Sequence, residues 1–311
     1  MTINRLSFYG LVISIASIIA GAIVRATGSG DGCGASWPTC NGKIVPELKT
    51  SSELIEFSHR SISGILLIIT LIIFFEFSSK NEILKKKKRK LWYSGIFILW
   101  IFTDYPIHDI GEKYLFSVHS VEHLVLALVS PPLLLLGMHR EMKKLISVKP
   151  FINLLKLTSK PIIAFFLFNI VMVGMHWSSV VNLMVTNTLF HFFIHSVMLL
   201  VSLNMWIPVI GFNEEIMPLN SAARIAYLFL QSLLPTIPAS FLAFGTEPLY
   251  SAYLNTENIF NISVINDQTL AGLILKLGGG IILWISILVI WMRWYQDEKT
   301  FDDVVRNNSS D

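Results

Sequence analysis

This sequence predicts an all-α bundle of membrane-spanning helices. Long apolar runs recur along its 311 residues, charged residues are scarce, and Lys and Arg gather in blocks between the runs. Hydrophobic residues make up 53% and charged ones 14%, against roughly a quarter charged in ordinary globular chains. Mean hydropathy is +0.61. The net charge of +3 sits in those blocks, which is the positive-inside pattern of membrane proteins and not a nucleic-acid footprint. The first apolar stretch, Leu6 to Val24, is as long as a spanning helix and leads into no small-residue cleavage site. It therefore reads as a retained helix, not a signal peptide.

At about 20 apolar residues per crossing, about eight spans are expected, near 6–25, 58–77, 91–104, 114–137, 161–180, 188–209, 222–245 and 267–292. Lys85-Lys86-Lys87-Lys88-Arg89-Lys90 separates the second and third; Arg140, Lys143, Lys144, Lys149, Lys156 and Lys160 follow the fourth. Both segments are expected in the cytoplasm. The alternate loops, 26–57, 105–113, 181–187 and 246–266, are poor in Lys and Arg. Both termini are thus expected inside, in a prokaryotic plasma membrane. The expected organisation is a two-helix segment over 1–80, a basic linker over 81–90, a six-helix membrane domain over 91–295, and a polar tail over 296–311. Phe301 to Asp311 is expected to be unstructured.

On this topology His59, His108, His119, His123, His176, His191 and His195 fall in the outer half, and only His139 falls inside. Ionisable groups in spanning segments are costly and usually face a partner or a cavity, so a shared site is the simplest explanation. His119 and His123 are four apart, as are His191 and His195, so each pair projects from one helical face. Neutral imidazoles suit copper, zinc or heme iron, whereas hard cations would want more carboxylates. The metal ligands expected are His119, His123, His176, His191 and His195, with His108, Glu122 and Asp267 orienting them from behind. The alternative is that each His hydrogen-bonds between helices. Met172, Met175, Met184 and Met198 are either soft ligands or apolar filler.

Cys33 and Cys40 are the only cysteines and share an outer loop rich in glycine, which permits a disulfide. That bond would be a staple or part of a redox or metal-transfer device. Glu56 would cap the second span or act chemically. Gly278-Gly279-Gly280 lies inside an apolar span, where close helix packing explains it better than phosphate binding. Lys276, deep in the same span, calls for a cavity or an acidic partner.

Two resemblances cover most of the chain. Asp104-Tyr105-Pro106-Ile107-His108-Asp109, Tyr114 to His123, Pro131-Pro132 through Gly137, His176-Trp177, His191 to His195, Trp206-Ile207-Pro208, Pro248-Leu249-Tyr250 and Asp267-Gln268 together resemble the CtaG-type cytochrome c oxidase assembly factors, over about 100–294. That likeness implies maturation of a heme-copper oxidase, by supply of copper to its buried copper centre. Two positions depart from the pattern: Ser120 stands where Met usually follows the first His pair, and Leu275-Lys276 replaces a Met-Trp pair. From about 8 to 72, Arg25-Ala26-Thr27-Gly28-Ser29-Gly30, Cys33, Trp37-Pro38-Thr39-Cys40-Asn41-Gly42 and Glu56-Phe57-Ser58-His59-Arg60 are similar to the start of heme A synthase. That similarity implies His59 as a heme ligand, Glu56 as a catalytic carboxylate, and Cys33 with Cys40 as an outer redox pair.

The expectation is an oxidase-assembly protein handling copper, heme or both, with a heme-copper oxidase subunit or another assembly factor as partner, membrane lipid around it and no nucleic acid. A heme A synthase-type oxidoreductase and a copper transporter are the alternatives.

Overall fold

The structure is a computed structural model. It describes residues 3–34, 40, 46–47, 49–78, 83–104, 107–138, 143, 147–254 and 260–308. His139 and Asn255 lie outside the described residues, as do Trp37 to Thr39 and Tyr105-Pro106. The described chain is helical, with one isolated bridge between Asn213 and Ile216. It divides into two compact units, Met1–Lys86 and Lys87–Asp311.

In the first unit, α1 (Ile3–Ala26) packs along α2 (Ser51–Ser78). Thr50 and Glu53 form a capping box at the start of α2. The Glu53 amide donates to Thr50 Oγ1 at 3.2 Å, and the Thr50 amide donates to Glu53 Oε2 at 3.1 Å. The cap expected of Glu56 is therefore made by Glu53. The short loop at Gly32 lies flush on α2, since a Cβ there would stand 2.6 Å from the Ser52 carbonyl carbon.

In the second unit, α3 (Ile83–Thr103) takes the described part of the basic run into its first turns. Then follow α4 (Ile107–Lys113), α5 (Phe116–Leu124), a π turn (Val125–Val129) and α6 (Ser130–Gly137). Next come α7 (Lys149–Thr158), α8 (Pro161–Met175), α9 (Ser178–Thr186) and α10 (Thr188–Ile210). The last are α11 (Ser221–Leu233), α12 (Thr236–Phe244), α13 (Val264–Leu273), a second π turn (Ile274–Gly278) and α14 (Gly279–Asn308).

The run Phe116–Gly137 is the most enclosed of the spans, with 72% of its window buried, and forms the axis of the unit. Its π turn has a local cause. Pro131 has no N–H to give the Ala127 carbonyl, and Trp206 Nε1 donates to that oxygen instead, at 3.2 Å. The second π turn packs on the end of α5, because a Cβ at Gly278 would stand 2.9 Å from Leu124 Cδ1. Close packing of this glycine run holds for Gly278 and Gly279, while a Cβ at Gly280 would meet nothing within 4 Å.

The expected count of eight spans is not reached among the described residues. Among the described residues, four helices are long and apolar enough to cross, Phe116–Gly137, Leu189–Ile210, Ser221–Phe244 and Val264–Phe301. A fifth counts only if Lys149–Thr158 and Pro161–Met175 are joined across an 82° bend. That bend falls at Pro161, where a proline disfavours continuation of the preceding helix. It sets α7, with Lys149 and Lys156, in the orientation of an interfacial helix. The expected crossing 161–180 breaks at His176-Trp177. The polar end is also corrected: α14 continues to Asn308.

Candidate functional site

Two helices separated by only Tyr114 and Leu115 start the site. α4 carries His108 and Glu112, and α5 carries His119, Glu122 and His123. They pack so closely that a Cβ at Gly111 would stand 2.9 Å from the His119 amide nitrogen. α10 brings His191 and His195 to the same place; the Asn187 side chain caps this helix, accepting the Phe190 amide at 3.0 Å. Ring centroids are 4.3 Å apart for His119 and His123, 4.4 Å for His191 and His195, and 5.2 Å for His108 and His191. The two expected pairs thus join one cluster, together with His108.

Glu122 is 0% exposed and stands at the middle. His108 Nδ1 donates to its two oxygens at 2.8 and 2.9 Å. The same carboxylate lies 3.4 Å from His195 Nδ1 and 3.6 Å from His119 Nδ1. Sequence reasoning missed Glu112, which lies 3.2 Å from His191 Nδ1 and 3.6 Å from His108 Nε2. Its signal was the same i,i+4 spacing, from His108 to Glu112. His123 Nε2 and His195 Nε2 share a hydrogen bond at 3.2 Å.

Three expectations about the site are corrected. His108 is a buried member of the cluster on a helix, not a loop residue behind it. His176 stands apart: its ring is 5.9 Å from that of His123, and its Nδ1 donates to the Met172 carbonyl at 2.6 Å. Its position at the end of α8 turns it to a cavity lined also by Met172, Gln231 and Lys276. Asp267 has no hydrogen bond to an imidazole among the described residues. It accepts the Phe116 and Ser117 amides and the Ser117 hydroxyl, which satisfies the open N-terminus of α5.

The segment after α12 covers the cluster. Tyr250 donates to the His176 carbonyl at 2.9 Å and Tyr253 to the Gly111 carbonyl at 3.2 Å. Gln268 holds this segment by accepting the Leu249 amide at 2.7 Å. Burial, followed by the charges of Glu112, Asp267 and Glu122, pushes the Tyr253 hydroxyl well above its ordinary pKa. Met172, Met175 and Met198 belong to the hydrophobic core, in keeping with the filler role. Lys276 Nζ donates to Ser240 Oγ at 3.2 Å and lies 4.9 Å from the centre of the Phe244 ring. Its partners are a hydroxyl and an aromatic face beside the cavity, so of the cavity and the acidic partner expected as alternatives the structure shows the cavity.

In the first unit, Cys33 and Cys40 are joined in a disulfide. The Cys33 amide donates to Glu56 Oε2 at 2.6 Å, and Glu56 Oε1 forms a buried ion pair with Arg60. His59 Nε2 lies 3.4 Å from Ser63 Oγ and faces Gly21, where a Cβ would stand 3.1 Å away.

The chain matches two families: "Cytochrome c oxidase caa3 assembly factor" over residues 71–297 and "Cytochrome oxidase assembly protein" over residues 4–103. Protoheme IX farnesyltransferase of Thermus thermophilus is 46% identical over 74 residues, 23% of this chain and 12% of that protein. Heme A synthase of Alkalihalophilus pseudofirmus is 45% identical over 65 residues, 20% of this chain and 22% of the relative. Heme A synthase of Macrococcus caseolyticus is 40% identical over 92 residues, 29% and 30% of the two chains. The chain therefore spans less than a third of each of these relatives. No solved structure matches. The first of these family matches covers more than half of this all-helical chain, which therefore belongs to the cytochrome c oxidase caa3 assembly factor family.

Proposed function

We propose that this protein handles copper for a heme-copper oxidase under assembly, at the cluster of His108, His119, His123, His191 and His195. One observation carries the reading. Four ring nitrogens of the cluster, His108 Nε2, His119 Nδ1, His123 Nδ1 and His191 Nε2, are buried without a hydrogen-bond partner among the described residues. Each such group costs about 1–3 kcal/mol when left unsatisfied. Metal coordination removes the cost, and imidazoles backed by carboxylates are the donor set that suits copper. Copper bound here would be passed to, or taken from, an oxidase subunit or another assembly factor. The bacterial relatives support a plasma membrane location.

Orientation is part of the proposal. Gly137 lies against Trp92 and the Lys88 carbonyl at the basic end, and His119 stands 18 residues earlier on the same run, 137 minus 119. At 1.5 Å per residue that is about 27 Å, close to the hydrocarbon thickness. With Lys88, Lys143 and Lys156 in the cytoplasm, the cluster faces outward and both termini lie inside.

Heme handling belongs to the first unit through its likeness to heme A synthase. His59 is the only histidine of residues 1–86, so a heme with two histidine ligands does not fit this unit alone. His59 would serve as one axial ligand, with Glu56 beside it holding Arg60 and the Cys33 loop.

The test is the His119→Ala/His123→Ala double variant. It should bind less high-affinity copper and lower active oxidase in the host while the protein still accumulates. Unchanged copper binding and oxidase activity would sink the reading, and loss of the protein itself would favour packing histidines.

A further inference from the structure

We infer that the cluster is a two-ion site, a pair of Cu(I) ions each held by three imidazoles. The inference rests on the copper reading above and asks more of the same residues.

The donors divide into two triads. His108, His191 and His195 form one; His119, His123 and His195 form the other. In each triad the ligand atoms lie within 4.8 Å of one another. Only His195 is common, so it bridges as an imidazolate, with Nε2, 3.2 Å from His123 Nε2, serving one ion and Nδ1 the other, and its ring proton passes to Glu122, whose Oε1 lies 3.4 Å from Nδ1. Two nitrogens on one tetrahedral ion with bonds of about 2.0–2.1 Å stand roughly 3.3 Å apart. The His123–His195 separation already has that value, so the second triad needs little movement to close on an ion.

Capacity argues for the pair. Orphaned nitrogens occur in both triads among the described residues, His119 Nδ1 and His123 Nδ1 in one, His108 Nε2 and His191 Nε2 in the other. An ion in one triad leaves the other's donors buried and unserved, so a single ion answers only half of the problem that the burial creates.

Charge selects the oxidation state. Glu122 contacts members of both triads, and Glu112 lies beside His108 and His191. With the His195 proton on Glu122, the His195 imidazolate and the Glu112 carboxylate offset two monovalent ions, whereas two divalent ions would leave surplus positive charge in apolar surroundings. The three donors of each triad are imidazole nitrogens, which copper accepts. Glu122 is a positioning residue for both halves: by accepting His108 Nδ1–H it fixes that ring's tautomer and leaves Nε2 for metal.

The experiment is a copper count. Full-length protein in detergent is stripped with chelator, loaded with Cu(I) without oxygen against a competing Cu(I) chelator, and measured for copper per chain. Two per chain is expected, with one retained in His191→Ala and one in His119→Ala. X-ray absorption of the wild-type protein should show nitrogen and no sulfur in the first shell. One copper per chain in the wild type, or loss of all copper in either variant, overturns the pair while leaving the copper reading standing. No copper in the wild type overturns both. Because the wild-type count and the absorption spectrum need no substitution, they decide the matter even where a variant fails to fold.

Discussion

The Asp267 carboxylate accepts the amide of Phe116, a residue 151 positions earlier in the chain, at 2.6 Å. Its other oxygen takes the Ser117 amide at 3.1 Å. The first turn of α5, which carries His119, is thereby tied to α13.

Removing that carboxylate should loosen the cluster without touching a donor. Asp267→Ala is expected to cost about 1–2 kcal/mol, the upper range for loss of an N-cap, and to weaken copper binding several-fold. Thermal unfolding and copper titration of the purified variant would measure both. An unchanged copper affinity would show that the cap does not position His119.

Gly111 permits the approach of α4 to α5. Gly111→Val should force the helices apart, costing about 1–3 kcal/mol, and separate His108 from His119, with reduced copper content at equal protein level. Gly174→Ala is the matched control, because a Cβ there would meet nothing within 4 Å. A Gly111→Val protein with full copper content would contradict the packing argument.

Glu56 holds Arg60 and the Cys33 loop together. Glu56→Ala leaves the buried Arg60 without this carboxylate, and breaking such a pair typically costs about 3–5 kcal/mol. Lower accumulation is the expected outcome, measured by immunoblot of membranes. In protein isolated without reductant, Cys33 and Cys40 should resist alkylation until the disulfide is reduced. Two reactive thiols before reduction would refute the pairing.

Reporter fusions after Lys88 and Lys149 should report a cytoplasmic location, and fusions at Asn41 and Asn255 an external one. A cytoplasmic signal at Asn255 would reverse the outward-facing assignment of the cluster.

Much of the site was legible in the sequence, for a local reason. A spacing of four residues places side chains on one face of any helix, so the pairs His119–His123 and His191–His195 could be read before folding was known. The long apolar runs fixed the fold class in the same way. The span boundaries were less legible, because the break at His176-Trp177 and the bend at Pro161 interrupt a run that hydropathy alone treats as continuous.

The sequence by itself determined that this chain is an all-α membrane protein, where its basic segments lie, and which histidines share a helical face. Only the tertiary structure decided which of those faces meet. It brought His108 and Glu112 into the cluster through the contact at Gly111, set His176 apart at the end of α8, and turned Asp267 toward the amides of α5 instead of an imidazole. The physical reason is that helix periodicity is set by neighbours within four residues, whereas a buried carboxylate or imidazole finds its partner wherever packing brings a donor, however distant along the chain.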